Sequence, residues 1–195
     1  GMRALLVLYM MNYFRWGQSE ASGIYKWYTS LVYVTPLIGG FLADRYLGNR
    51  WAVIIGAILM AFGHFFMAFE QSWIFFSALV LLVIGNGFFK PNISTILGNV
   101  YNDSKYVDLK DTGYNIFYMG INVGAFICKF FGAVLYNLMG WGAAFIAAGI
   151  GMFIGVIIFI IGTKHYKHAD VLKPKQETDL SLAKIFLLIS LACSE

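Results

Sequence analysis

Residues 51–69 read WAVIIGAILMAFGHFFMAF, and residues 71–89 read QSWIFFSALVLLVIGNGFF. Neither run holds a charge, and Glu70 alone separates them. A helix needs about 20 apolar residues to cross the hydrocarbon core of a bilayer. The two runs therefore predict two membrane-spanning helices joined by a short connection. Their apolarity is continuous, not alternating, which excludes the strands of an outer-membrane barrel. A soluble helical bundle would carry charged outer faces, and these runs have none.

The pattern repeats on both sides. Residues 27–43, 112–128 and 130–163 are also free of charge. The last run is too long for one helix. It breaks at Asn137-Leu-Met-Gly-Trp-Gly142, where glycines permit a turn and Trp141 suits a membrane interface. Spans are expected near 2–16, 22–46, 51–69, 73–99, 112–136 and 142–163. A polar stretch, 164–180, follows, and then a short apolar segment from Leu182.

Composition agrees. Of 195 residues, 59% are hydrophobic and 12% charged, with a mean hydropathy of +0.70. A soluble domain carries roughly a quarter charged residues. Two cysteines are too few for a disulfide-stapled module. The 21 glycines suit helices that approach closely in lipid. The net charge of +4 fits basic cytoplasmic loops and not nucleic-acid binding. The predicted class is an all-α polytopic membrane protein.

Lysine and arginine in the loops predict the orientation. One set of connections holds Arg45, Arg50, Lys105, Lys110, Lys164, Lys167, Lys173 and Lys175; the opposite set holds Arg15. Loops 45–50, 103–111 and 164–180 are therefore expected in the cytoplasm, with the chain in the inner (plasma) membrane. At the ends, Gly1-Met2-Arg3 enters an apolar run at once, and Cys193-Ser194-Glu195 closes a segment too short to span. Both read as the ends of a fragment.

Charges at bilayer depth are costly, on the order of 3 kcal/mol on insertion scales, so the exceptions carry information. Lys90 sits deep in the fourth span, next to Pro91, which frees a backbone carbonyl one turn back. The pair predicts a kinked helix lining a polar cavity. Arg3 is either a terminal cytoplasmic charge or, if its helix continues upstream, a buried functional one. Lys129 and Lys26 read as snorkelling side chains. Asn122 is mid-span and is either helix-bridging glue or a ligand contact. Tyr33, three residues before Pro36, either packs or offers its hydroxyl and ring to a pocket. Gly120 with Gly124, and Gly151 with Gly155, read as helix-packing pairs. His64 is bundle-facing or interfacial. His165 and His168 are too few for a metal site. Cys128 and Cys193 have no reason to pair. No nucleophile–base constellation or phosphate loop stands in the sequence, so an enzyme is not expected.

Three stretches then coincide. Gly40-Phe-Leu-Ala-Asp44-Arg45-Tyr-Leu-Gly48-Asn-Arg50 resembles the G-x-x-x-D-R-x-G-R/K-R/K loop of the major facilitator superfamily, with one extra residue before Gly48. Asp44 in such a loop could cap a helix start or pair with basic groups, and Gly48 permits a tight turn. Phe117-Tyr118-Met-Gly-Ile121-Asn122-Val-Gly124 resembles the F-Y-x-x-I-N-x-G signature of proton-dependent oligopeptide transporters. Gly85-Asn-Gly-Phe-Phe-Lys90-Pro91-Asn92-Ile-Ser94 resembles the same family's G-x-G-x-x-K-P-N-x-S run.

The resemblance implies the first six-helix bundle of a two-bundle transporter. It divides the chain into a bundle (1–166), a cytoplasmic linker (167–180) and the start of a linker helix or seventh span (181–195). Gly1-Met2-Arg3 matches the end of the family's first-helix motif, E-x-x-E-R-F-x-Y-Y-G-M-R. That implies a cavity position for Arg3 and a partner in the second bundle. It further implies that Lys90 and Arg3 attract a peptide carboxylate and the carboxylates of a proton relay. Asn122 would hydrogen-bond the peptide backbone or amino end, and Tyr33 would shape the pocket. Some members place a histidine seven residues before that tyrosine; Lys26 stands there, so no histidine-based proton role carries over. The expected activity is proton-coupled symport of di- and tripeptides by alternating access, with the proton as coupling ion and no other cofactor. Nitrate or a glycoside as substrate, or a truncated membrane protein that transports nothing, are the alternatives.

Overall fold

The computed structural model describes residues 2–69, 71–102 and 105–170, excluding the side chains of residues 2–5 and 168. The expected linker beyond residue 170, the segment 181–195 with Cys193, and the side chains of Arg3 and His168 lie outside the described residues. Within them the chain forms six helices: α1 (Met2–Asn12), α2 (Gln18–Leu42), α3 (Asn49–Met67), α4 (Ser72–Val100), α5 (Lys110–Met139) and α6 (Trp141–Tyr166). By length and composition, Asn49–Met67, Ser72–Val100, Val107–Met139 and Trp141–Tyr166 can each cross a membrane. α2 has the length, at 25 residues, but carries Glu20, Lys26 and several hydroxyls.

The breaks lie where the chain can make them. Gly140 separates α5 from α6 at φ 86°, a conformation that a Cβ would strain. Between α2 and α3 the chain first tightens into a π-turn, Ala43–Leu47, which closes when the Gly48 amide donates to the Ala43 carbonyl at 2.9 Å. Gly48 then reverses the chain at φ 82°. This is the tight turn expected of Gly48. Asp44 lies within this π-turn, which continues α2. α4 passes through Pro91 and α2 through Pro36 without ending.

α4 is the central post of the bundle, packed between α2 and α3, with α6 on the far side of α3. Glycine makes this possible. In lipid, helix association relies on close packing and not on expulsion of water, so bare backbones that touch are favoured. A Cβ on Gly56 of α3 would stand 2.6 Å from the Gly85 carbonyl oxygen of α4. A Cβ on Gly39 of α2 would overlap the Gly87 carbonyl. Gly85 and Gly87 thus face α3 and α2 respectively. The glycine pairs expected to pack helices do not: around Gly120, Gly124, Gly151 and Gly155 a Cβ would meet nothing described within 4 Å. Small residues at helical spacing permit close approach without choosing the neighbour, and the described bundle puts no neighbour there.

One end of the bundle is aromatic. Tyr9 lies 5.4 Å from the Trp141 ring and 5.2 Å from Phe145, and its hydroxyl donates to the Met67 carbonyl at 3.5 Å. The other end gathers the α2–α3 turn, the end of α4 and the residues after α6. There Arg50 meets Asp170, and the Asn99 amide donates to the Ala169 carbonyl at 3.0 Å. The connections that carry most of the basic residues therefore share one end, as an alternating up-and-down topology requires.

Candidate functional site

Lys90 and Tyr33 come together on the open side of the α2–α4 seam. The Lys90 ammonium sits 5.5 Å from the centre of the Tyr33 ring, within range of a cation–π contact worth about 0.5–1 kcal/mol at an exposed position. Both side chains are exposed. Lys90 is thus neither buried in the seam nor packed away. It projects at mid-helix from α4, beside an aromatic face and a phenol hydroxyl.

The seam behind this pair is stitched by side chains that donate to backbone carbonyls. Asn86 Nδ2 donates to the Val32 carbonyl at 3.1 Å, and Thr35 Oγ1 to the Val83 carbonyl at 3.1 Å. Asn92 Nδ2 donates to the Phe88 carbonyl at 2.6 Å and reaches the Gly39 carbonyl at 3.5 Å. The bonds that cross between the helices add about 0.6 kcal/mol each on average, and up to about 1.7 kcal/mol, in a membrane protein. Together they fix how far α4 slides along α2. Pro91 removes the donor for the Gly87 carbonyl, and that oxygen lies against Gly39.

The other expected site residues fall elsewhere. Asn122 is on α5, exposed, without a hydrogen-bond partner among the described residues. α5 packs chiefly on α6 and meets α4 through the Tyr114 hydroxyl, which donates to the Ser94 carbonyl at 3.2 Å. Arg3 is in α1. Lys26 and Lys129 are exposed.

In the loop motif, Gly40 packs on the ring of Pro91, and Asp44 and Arg45 are half-buried. Arg50 lies over the Trp51 ring at 5.5 Å. His64 is half-buried and lines a cavity of about 590 Å³ between α3, α5 and α6, with Cys128 and Gly151 in its wall; His64 Nδ1 has no hydrogen-bond partner there. Cys128 is a free thiol. Among the described residues no three His, Cys, Asp or Glu side chains could jointly hold a metal ion.

Thr35, Asn86, Gly39 and Asp170 escaped the sequence reading, and Thr35 stood unremarked beside Pro36. Asn86 stood inside a quoted motif at a variable position. Gly39 adjoined the loop motif without belonging to it. Asp170 lay in a polar stretch with no pattern.

The bundle of long apolar helices defines an all-α polytopic membrane protein with the fold of a major facilitator superfamily N-terminal bundle. The chain belongs to the POT family, whose signature matches residues 50–193. It is 33% identical over 193 residues to the di-/tripeptide transporter of Lactobacillus helveticus, covering 91% of this chain and 38% of that protein. It is 38% identical over 169 residues to the peptide transporter YePEPT of Yersinia enterocolitica, covering 82% of this chain and 32% of that one. A crystal structure of a mutant peptide transporter POT in complex with alafosfalin superposes with a TM-score of 0.85 at 32% identity, over 99% of this chain and 41% of that chain. The chain thus spans about two-fifths or less of the length of these relatives.

Proposed function

We propose that this chain supplies the first bundle of a proton-coupled symporter of di- and tripeptides, which works by alternating access against a second six-helix bundle. The observation that carries the reading is the Lys90–Tyr33 pair on the open side of the α2–α4 seam. A short peptide offers a terminal carboxylate, an ammonium and amides. An ammonium in a low-dielectric cleft attracts the carboxylate strongly and tolerates any side chain, because it reads only the terminus. Tyr33 adds an aromatic wall and a hydroxyl. Asn122 and Arg3 would complete the polar lining once the second bundle closes the cleft. The likeness to a di-/tripeptide transporter and to a peptide transporter supports peptides over nitrate or a glycoside. The basic end, with Arg50 and the residues after α6, would face the cytoplasm.

The test is proton-driven dipeptide uptake by the full-length protein in vesicles. Lys90→Ala is expected to abolish uptake while expression is retained. Unchanged uptake in that variant would remove Lys90 from the mechanism. Absence of uptake in the wild type, with nitrate or a glycoside carried instead, would overturn the peptide reading.

A further inference from the structure

We infer that Asn86 is a positioning residue, which completes the backbone of α2 at Pro36 and so holds Tyr33 in register with Lys90. The inference rests on the transport reading for its kinetic arm only. Pro36 lies inside α2 and has no N–H. In an α-helix, the carbonyl four residues earlier would have accepted from that N–H. That carbonyl belongs to Val32, and it would be left unsatisfied inside a membrane helix, at a cost of several kcal/mol.

Asn86 Nδ2 donates to this oxygen at 3.1 Å, from the neighbouring helix. The bond thus satisfies the acceptor that the proline orphans, and it fixes α4 to α2 at that turn. The geometry reaches the site in two short steps. Tyr33 follows Val32 directly in sequence. Lys90 follows Asn86 by four residues, one turn along the same face of α4. A rigid bond between Val32 and Asn86 therefore sets the offset between the Tyr33 ring and the Lys90 ammonium. Thr35 Oγ1, which donates to the Val83 carbonyl at 3.1 Å one turn away, holds the same seam in the opposite direction along α4. Gly87 lets the helices come close enough for both bonds, because a Cβ there would stand 2.8 Å from the Thr35 Cβ.

The experiment is a double-mutant cycle between Asn86→Leu and Pro36→Ala in the full-length protein. Leucine keeps the branched heavy-atom shape and removes the donor. Alanine at 36 returns an N–H to the helix, so the Val32 carbonyl no longer needs Asn86. Asn86→Leu is expected to raise the KM for dipeptide about fivefold to tenfold, with maximal velocity within about twofold, in line with one lost hydrogen bond. Adding Pro36→Ala is expected to bring KM back most of the way. An apolar packing role for residue 86 would give additive effects and no rescue, and that result overturns the inference. So does an Asn86→Leu variant with unchanged KM.

The same cycle read as thermal unfolding of the purified protein stands without any transport. There Asn86→Leu lowers Tm and Pro36→Ala suppresses the loss. If Asn86→Leu does not fold, recovery of folded protein in the double variant supports the inference and continued failure overturns it. Absence of dipeptide uptake in the wild type defeats the peptide reading and leaves the Tm cycle to decide the role of Asn86.

Discussion

Asp170, just after α6, caps α3: its Oδ1 accepts from the Arg50 amide at 3.1 Å, while Oδ2 lies 3.7 Å from the Arg50 side chain. α3 has no side-chain cap of its own, because the residue before it is Gly48. An unsatisfied amide at a helix start is normally capped by a nearby serine, threonine or aspartate. Here the acceptor comes from 120 residues later in the chain. Gly48 leaves room for it, since a Cβ there would stand 3.3 Å from Asp170 Oδ1. The turn of the loop motif and the first residues beyond α6 are therefore one structural unit.

Asp170→Ala removes both the cap and the ion pair. It is expected to lower stability by roughly 1.5–3 kcal/mol, the range for hydrogen bonds to charged groups. Asp170→Asn keeps an acceptor and loses the charge, so it should recover more than half of that loss. Thermal unfolding of the three purified proteins measures this. Equal losses in both variants would mean that the charge, and not the cap, holds the turn.

The seam glycines make a second prediction. Gly39→Val and Gly56→Val each drive side-chain carbon into a backbone carbonyl of α4, which has no free end that could swing away. Both are expected to abolish accumulation of folded protein, read as loss of the monodisperse peak in fluorescence-detected gel filtration. Gly120→Ala meets nothing described within 4 Å and should leave that peak intact. A tolerated Gly56→Val would show that α3 and α4 do not pack through these backbones.

The contrast between Gly56 and Gly120 also marks how far the sequence could be read. Helix number and order followed from the uncharged runs and the breaks between them, because the bilayer imposes length and polarity on each segment by itself. The Lys90–Tyr33 pairing was half visible: both residues stood out as polar groups at depth, but only the register of α2 against α4 brings them together. Register depends on which glycines meet, and the i, i+4 glycine spacing that looked like packing belongs to α5 and α6, away from the close contacts. Asp170 was illegible for the same reason. An aspartate in a polar stretch has no local pattern, and its role exists only once residues 50 and 170 are adjacent.

Gly140 makes a narrower prediction. At φ 86° a Cβ clashes with its own backbone, whatever the space around it. Gly140→Ala should cost about 1–2 kcal/mol, visible as a lower Tm. Asn137→Ala, three residues earlier and exposed at the end of α5, should change Tm by less than about a third of that. A neutral Gly140→Ala would mean that the α5–α6 turn adopts another backbone shape.

The final prediction concerns what Tyr33 gives to Lys90. The ammonium lies over the ring, 5.5 Å from its centre. Phenylalanine retains a negative ring face, whereas leucine removes it. If the pair holds the ammonium ready for a substrate carboxylate, Tyr33→Phe should keep the dipeptide KM within about twofold. Tyr33→Leu should raise it roughly threefold to fivefold, the equivalent of losing one exposed cation–π contact at the upper end of its range. Initial-rate uptake across a range of dipeptide concentrations separates the cases. A large KM increase in Tyr33→Phe would assign the hydroxyl to the substrate directly, and Lys90 would then be positioned by the α4 backbone alone.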